Sequence, residues 1–211
     1  MADISTLIIT DSTESPVTVG SAVRTINASK RTIAVQIIGN ALANKISGGA
    51  GDDSLVGGYV NDAISGGEGD DKLYGNAGID KLYGGAGNDK INGQAGNDNI
   101  AGGDGNDSIL GGSGKDTLRG GKGKDSLWGG SGADTFLYAN SDGKDVIYSL
   151  SDNDMLQITS SFTATYDEAK DEVYFKVGST ANAITMKDFG AETFNINGTD
   201  YKISGSKLVK K

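Results

Sequence analysis

From Gly48 to Leu137 the chain writes one nine-residue formula ten times without an insertion: GGAGDDSLV, GGYVNDAIS, GGEGDDKLY, GNAGIDKLY, GGAGNDKIN, GQAGNDNIA, GGDGNDSIL, GGSGKDTLR, GGKGKDSLW and GGSGADTFL. The sixth place is always aspartate: Asp53, Asp62, Asp71, Asp80, Asp89, Asp98, Asp107, Asp116, Asp125 and Asp134. The eighth is always apolar: Leu55, Ile64, Leu73, Leu82, Ile91, Ile100, Ile109, Leu118, Leu127 and Phe136. An ordinary globular core gives every residue different neighbours, so it has no use for a fixed period. A stack of identical coils, each touching only the next, requires one.

Each unit divides into a six-residue glycine-rich turn and a three-residue strand whose middle side chain points one way and its neighbours the other. One strand that short buries nothing useful. Two units per coil place strands on opposite sides, and stacking sets each eighth-position residue on those above and below at the ~4.8 Å strand spacing. The aspartates then form columns, with Asp71 between Asp53 and Asp89. Bare carboxylates a few ångströms apart repel by ~1 kcal/mol per close pair even in water, so a cation is expected between them. Carboxylates with main-chain carbonyls from glycine-rich turns are the oxygen ligands of a hard cation, calcium above all, whereas magnesium keeps its waters and demands a stricter octahedron.

The ten units resemble the RTX (hemolysin-type) calcium-binding repeats of secreted bacterial toxins, proteases, lipases, epimerases and adhesins. That resemblance implies an all-β fold, a right-handed parallel β-roll with calcium between successive turns on each edge. Pairing alternate units gives four gaps per edge, Asp53/71, 71/89, 89/107 and 107/125 on one and Asp62/80, 80/98, 98/116 and 116/134 on the other, hence up to about eight internal sites. Val60 in place of the fourth glycine is expected to distort the turn at 57–62. Asn76 and Gln94 replace the second glycine, a change asparagine accommodates better than glutamine. Lys115 and Lys124 at the fifth place imply an outward side chain there, so Asp52 and Asp70 are poorer ligand candidates than Asp53 and Asp71.

Upstream, residues 1–47 read as an N-terminal β cap leading into a worn repeat, GNALANKIS, with Asn44 in the aspartate place; a neutral group opposite Asp62 implies a weak terminal site or none. Residues 48–137 are the roll. Residues 138–211 hold two faint copies, Asp145 with Ile147 and Asp154 with Leu156, both aspartates being further metal candidates. Two hairpins follow as a C-terminal β cap, FTATYDEAKDEVYFKVG and TFNINGTDYKIS, the second turning at Asn197-Gly198. In type I secretion an uncleaved C-terminal segment is the export signal, and the tail SGSKLVKK matches one only weakly.

Composition narrows the function. The chain has 34 glycines but one proline and no three-residue period, which excludes collagen. A net charge of −9 argues against nucleic acid as a partner. With no cysteine and no histidine, the disulfide framework, thiolate zinc, the thiol nucleophile and the Ser-His-Asp triad are all unavailable, and no enzyme is expected. No apolar run approaches the ~20 residues of a membrane span, and the N-terminus has no signal-peptide pattern.

The expected function is a calcium-binding module that folds outside the cell, structural or secretion-associated, with calcium ions and the type I export apparatus as partners. An alternative is a glycan- or surface-binding module using the ninth-position row Val56, Tyr74, Asn92, Leu110 and Trp128 beside Lys72 and Lys90, although packing of the flanks over that row is the plainer reading. A third is the detached C-terminal piece of a secreted protease or lipase. Ice binding is disfavoured because the third place holds no threonine row, and glycosidase chemistry because no carboxylate pair stands apart from the repeat.

Overall fold

Alternation inside the unit decides the architecture: one apolar residue per strand must face inward, and the glycines must let the chain turn and come back. In the computed structural model, which describes residues 6–13, 15–167, 169–178, 183–187, 193–204 and 207–211, the chain winds as a parallel β-roll, with no helix among those residues. One sheet stacks, in order, Val17–Thr18, Gln36–Ile38, Ser54–Gly58, Lys72–Ala77, Lys90–Ala95, Ser108–Gly114, Ser126–Gly132, Val146–Tyr148 and Ala183–Lys187. The other stacks Thr6–Ile8, Thr25–Asn27, Lys45–Ser47, Ala63–Glu68, Lys81–Ala86, Asn99–Asp104, Thr117–Lys122, Thr135–Tyr138, Met155–Ile158 and Thr193–Ile196. Every one of these pairings is parallel.

The register puts like on like. Leu55, Leu73, Ile91, Ile109 and Leu127 stack in one sheet. Ile64, Leu82, Ile100, Leu118 and Phe136 stack in the other. All ten are at most 3% exposed. Burial of that kind stabilises by roughly 1.5–3 kcal/mol per side chain.

Strands within the repeat are longer than the three residues the pattern implies: Lys72–Ala77 runs from the seventh place of one unit through the third of the next. Identical coils can pair wherever their backbones are extended, so the turn proper shrinks to the fourth to sixth places. Glycine is then needed for positive φ at the second and fourth places, as at Gly67 (125°) and Gly69 (110°). Asn76 and Gln94 adopt φ of 75° and 74° at the second place, and Gln94 Nε2 donates to Asn76 Oδ1 at 2.8 Å. Val60 has no positive φ, but neither has Gly51 at the same place of the preceding unit, so the first two turns of the repeat both depart from those that follow and Val60 alone does not account for it.

Residues 6–47 stack as further coils in the same two sheets rather than as a separate layer. Downstream, Phe162–Asp167 pairs antiparallel with Glu172–Val177, which crosses onto Ala183–Lys187. Thr193–Ile196 and Thr199–Ser204 form the second hairpin. Its turn at Asn197 and Gly198 has φ of 51° and 76°, the double positive φ of a tight hairpin turn. Of the tail SGSKLVKK, Gly205 and Ser206 lie outside the described residues.

Candidate metal centre

The sixth-place aspartates end each turn, just before the strand whose apolar residue anchors the coil. That anchoring brings all ten repeat aspartates to 0–3% exposure, and Asp145 and Asp154 to 2%. They form two unbroken columns. On one edge the backbone N–H groups of Val35, Asp53, Asp71, Asp89, Asp107 and Asp125 donate to Oδ1 of Asp53, Asp71, Asp89, Asp107, Asp125 and Asp145, at 2.7–3.2 Å. On the other, Asn44, Asp62, Asp80, Asp98, Asp116 and Asp134 donate to Oδ1 of Asp62, Asp80, Asp98, Asp116, Asp134 and Asp154, at 2.7–2.9 Å.

The second carboxylate oxygen is treated differently. Oδ2 is buried without a hydrogen-bond partner in Asp62, Asp71, Asp80, Asp89, Asp98, Asp107, Asp116, Asp125 and Asp134. An unsatisfied buried polar atom costs about 1–3 kcal/mol, more when charged. Asp53 escapes through the Gly49 N–H, 2.7 Å from its Oδ2. Asp154 Oδ2 accepts from Ser151 N–H at 2.8 Å.

First-place glycine now has a cause. A Cβ added at Gly84 would lie 2.1 Å from Asp89 Oδ2, and at Gly102 the same distance from Asp107 Oδ2. Carbonyl oxygens crowd the gaps as well: a Cβ at Gly87, Gly105 or Gly123 would meet the carbonyl oxygen of Gly69, Gly87 or Gly105 within 2.1 Å. Among the described residues no three histidine, cysteine, aspartate or glutamate side chains converge on one point. A cation in a gap would therefore take two aspartates and complete its shell with main-chain oxygen. Orphaned carboxylate oxygens, close carbonyls and the absence of nitrogen or sulfur donors fit a hard cation such as calcium.

Electrostatics agrees. Burial first, with the charges of neighbouring aspartates, pushes Asp71 and Asp107 up to about 7 from an ordinary 3.8, against the opposing backbone N–H. Asp80 and Asp116 rise to about 6 for the same reasons, and Asp89 to about 6 through burial and then Asp70. Asp145 is also pushed up, by burial and then by Asp125.

The fifth place carries something the repeat pattern alone does not reveal. Its side chains are exposed, yet they form a second ladder: Oδ1 of Asp52, Asp70, Asn88 and Asn106 accepts the backbone N–H of Asp70, Asn88, Asn106 and Lys124 at 2.7–2.9 Å. Asn61 and Asn97 do the same for Ile79 and Lys115, both at 2.8 Å. The signal was present as asparagine or aspartate at six of these positions, with lysine where only a backbone donor is required. On the ninth-place row, Trp128 stacks on Tyr148 with ring centroids 4.5 Å apart and planes 6° from parallel, so one face of the indole is already taken.

A family model described as RTX calcium-binding nonapeptide repeat (4 copies) matches residues 38–73, 74–109 and 110–139. Residues 38–139 are RTX calcium-binding nonapeptide repeats. Repeats of this family bind calcium. No curated protein matches the chain. Among solved structures, the AlgE6R2 subunit of the Azotobacter vinelandii mannuronan C5-epimerase is similar at 23% identity, over 50% of this chain and 83% of that one, with a TM-score of 0.41. The extracellular lipase LipA of Serratia marcescens is similar at 19% identity over 72% of this chain and 37% of the lipase, with a TM-score of 0.37.

Proposed function

We propose that the RTX segment is a calcium-responsive folding module of a secreted bacterial protein. Asp53, Asp62, Asp71, Asp80, Asp89, Asp98, Asp107, Asp116, Asp125 and Asp134 are the side-chain ligands, in up to about eight internal gaps, with Asp145 and Asp154 extending each column by one step. The observation that carries this reading is the row of nine buried Oδ2 atoms without a partner. At low calcium the columns repel and the coils stay loose; bound calcium supplies the positive charge and the oxygen-coordinated link that the aspartates lack. Only the stacked chain presents two aspartates to one gap, so binding and folding are coupled.

The chain divides on this reading into residues 1–47, 48–137 and 138–211, with the last holding the hairpin cap. Its role is structural and not catalytic, and export by a type I apparatus in an unfolded state suits a module that closes only at external calcium. The stacking of Trp128 on Tyr148 favours packing over glycan recognition for the ninth-place row. Far-ultraviolet circular dichroism of metal-stripped protein, titrated with calcium and separately with magnesium, is the test. A cooperative gain of β signal with calcium alone is expected; β structure that stays the same throughout would sink the folding switch.

A further inference from the structure

At the second place of the unit the two worn turns ahead of the repeat carry side chains that donate to main-chain carbonyls of the turn before, whereas Gln94 at the same place donates to the side chain of Asn76. Arg31 stands there on the Asp53 edge and Asn40 on the Asp62 edge. Their carbonyl oxygens lie against Gly49 and Gly58, just as that of Gly49 lies against Gly67, which fixes the correspondence. Both side chains turn back into the gap towards the preceding turn. Arg31 is 3% exposed. Its Nη1 donates to the carbonyl oxygens of Thr10 and Thr13 at 2.6 and 2.9 Å, Nε to that of Ile33 at 2.9 Å and Nη2 to that of Ala34 at 3.2 Å. On the other edge Asn40 Nδ2 donates to the carbonyl oxygens of Gly20 and Val23, both at 2.8 Å, and Asn44 Nδ2 adds a third bond, to Val23 at 3.0 Å.

A guanidinium held by four carbonyl oxygens occupies the kind of oxygen cage that would otherwise suit a hard cation. Its charge is covalently fixed and does not depend on what the solvent contains. The sixth places of these turns hold Val35 and Asn44, so no carboxylate column has to be neutralised there. Asp53, the first carboxylate below Arg31, is satisfied at both oxygens by the N–H groups of Val35 and Gly49. All nine repeat aspartates after it keep an orphaned Oδ2.

We propose that Arg31 and Asn40 close the first gap on each edge in place of a metal ion, so that the coils from Thr6 to about Leu55 hold together without calcium. They then form the template on which the calcium-dependent coils stack one by one, as repeat folds can propagate from a preformed neighbour. This rests on the reading of the gaps between Asp53 and Asp134 as calcium sites, and the two can fail separately.

Amide hydrogen exchange on the full chain, in chelator and in saturating calcium, tests it. In chelator the amides of Val35, Lys45 and Ala50 are expected to exchange at least about tenfold more slowly than those of Asp89, Asp98, Asp107 and Asp116. Calcium then protects the second group. In the double variant Arg31→Gln, Asn40→Ala the first group loses its protection in chelator, and calcium restores order to 66–134. Arg31→Lys, which keeps the charge but not the fork, falls between. Uniformly fast exchange of the wild type in chelator overturns the proposal, as does unchanged chelator protection in the double variant. Should that variant fail to fold even with calcium, the wild-type comparison still decides. If calcium protects nothing in 66–134, the calcium reading fails, while the chelator data continue to judge the role of Arg31 and Asn40.

Discussion

Replacing Asp89 by asparagine should move stability in opposite directions with and without calcium. The amide side chain would retain an oxygen for the Asp71 N–H, bonded to Asp89 Oδ1 at 2.9 Å in the native chain, and would put a neutral NH2 in place of the orphaned Oδ2. Without metal, the native carboxylate is raised from 3.8 to about 6 by burial and then by Asp70. At about 1.4 kcal/mol per pKa unit, keeping it ionised at neutral pH costs roughly 3 kcal/mol as an upper limit. Water near the roll edge screens that charge, which reduces the figure to about 1–2 kcal/mol. Asp89→Asn is therefore expected to stabilise the metal-stripped roll by about that amount, and to destabilise the calcium-loaded roll because two adjoining gaps each lose a charged ligand. Urea unfolding followed by circular dichroism, in chelator and in saturating calcium, reads both signs. Asp70→Asn, at an exposed fifth place, serves as the control without a crossover. Destabilisation of Asp89→Asn in chelator as well as in calcium would refute the assignment of the column as strained carboxylates awaiting a cation.

Three further outcomes follow from the same geometry. In metal-stripped protein the raised aspartates bind protons more tightly folded than unfolded, so stability is greatest near pH 4 and falls as pH rises through about 6 to 7, the values of Asp80, Asp89, Asp116, Asp71 and Asp107; circular dichroism against pH that rises towards neutrality would contradict this. Gly84→Ala places a methyl group 2.1 Å from Asp89 Oδ2 and is expected to weaken calcium-induced folding, measured as a rightward shift of the calcium midpoint, whereas Ala86→Ser on the exposed face leaves the midpoint in place. Leu73→Ala, at a position fully buried in the core, should lower stability in calcium by about 2–5 kcal/mol in urea titrations.

The repeat, its register, the apolar rows and the aspartate columns were legible because a nine-residue period leaves each place one environment. Six-residue strands were not, since the extra pairing at the first to third places comes from the identical coil above, and glycine there signals a turn when read locally. The fifth-place ladder was hidden for a related reason: Asp52, Asn88 and Asn106 act through a backbone N–H eighteen residues away, and Lys115 and Lys124 break the visible pattern while still donating. The coils before Gly39 have no glycine formula at all. Arg31 and Asn40 reach back 17 to 21 residues into irregular turns, and nothing in their immediate neighbours announces it.

Both edges use the same formula, and each unit brings its own aspartate, its own apolar anchor and the bare glycine that makes room for the carboxylate. Eighteen residues make one coil, as the pairing of Lys72 with Lys90 records. Inserting or deleting eighteen residues would leave Arg31 and the C-terminal hairpins on their present sides. A change of nine would preserve every contact inside the repeat but turn everything downstream by half a coil, sending Asp145 to the column now ended by Asp154. Copy number in a roll of this kind is therefore free to drift in even steps, and parity is held by the ends rather than by the repeat.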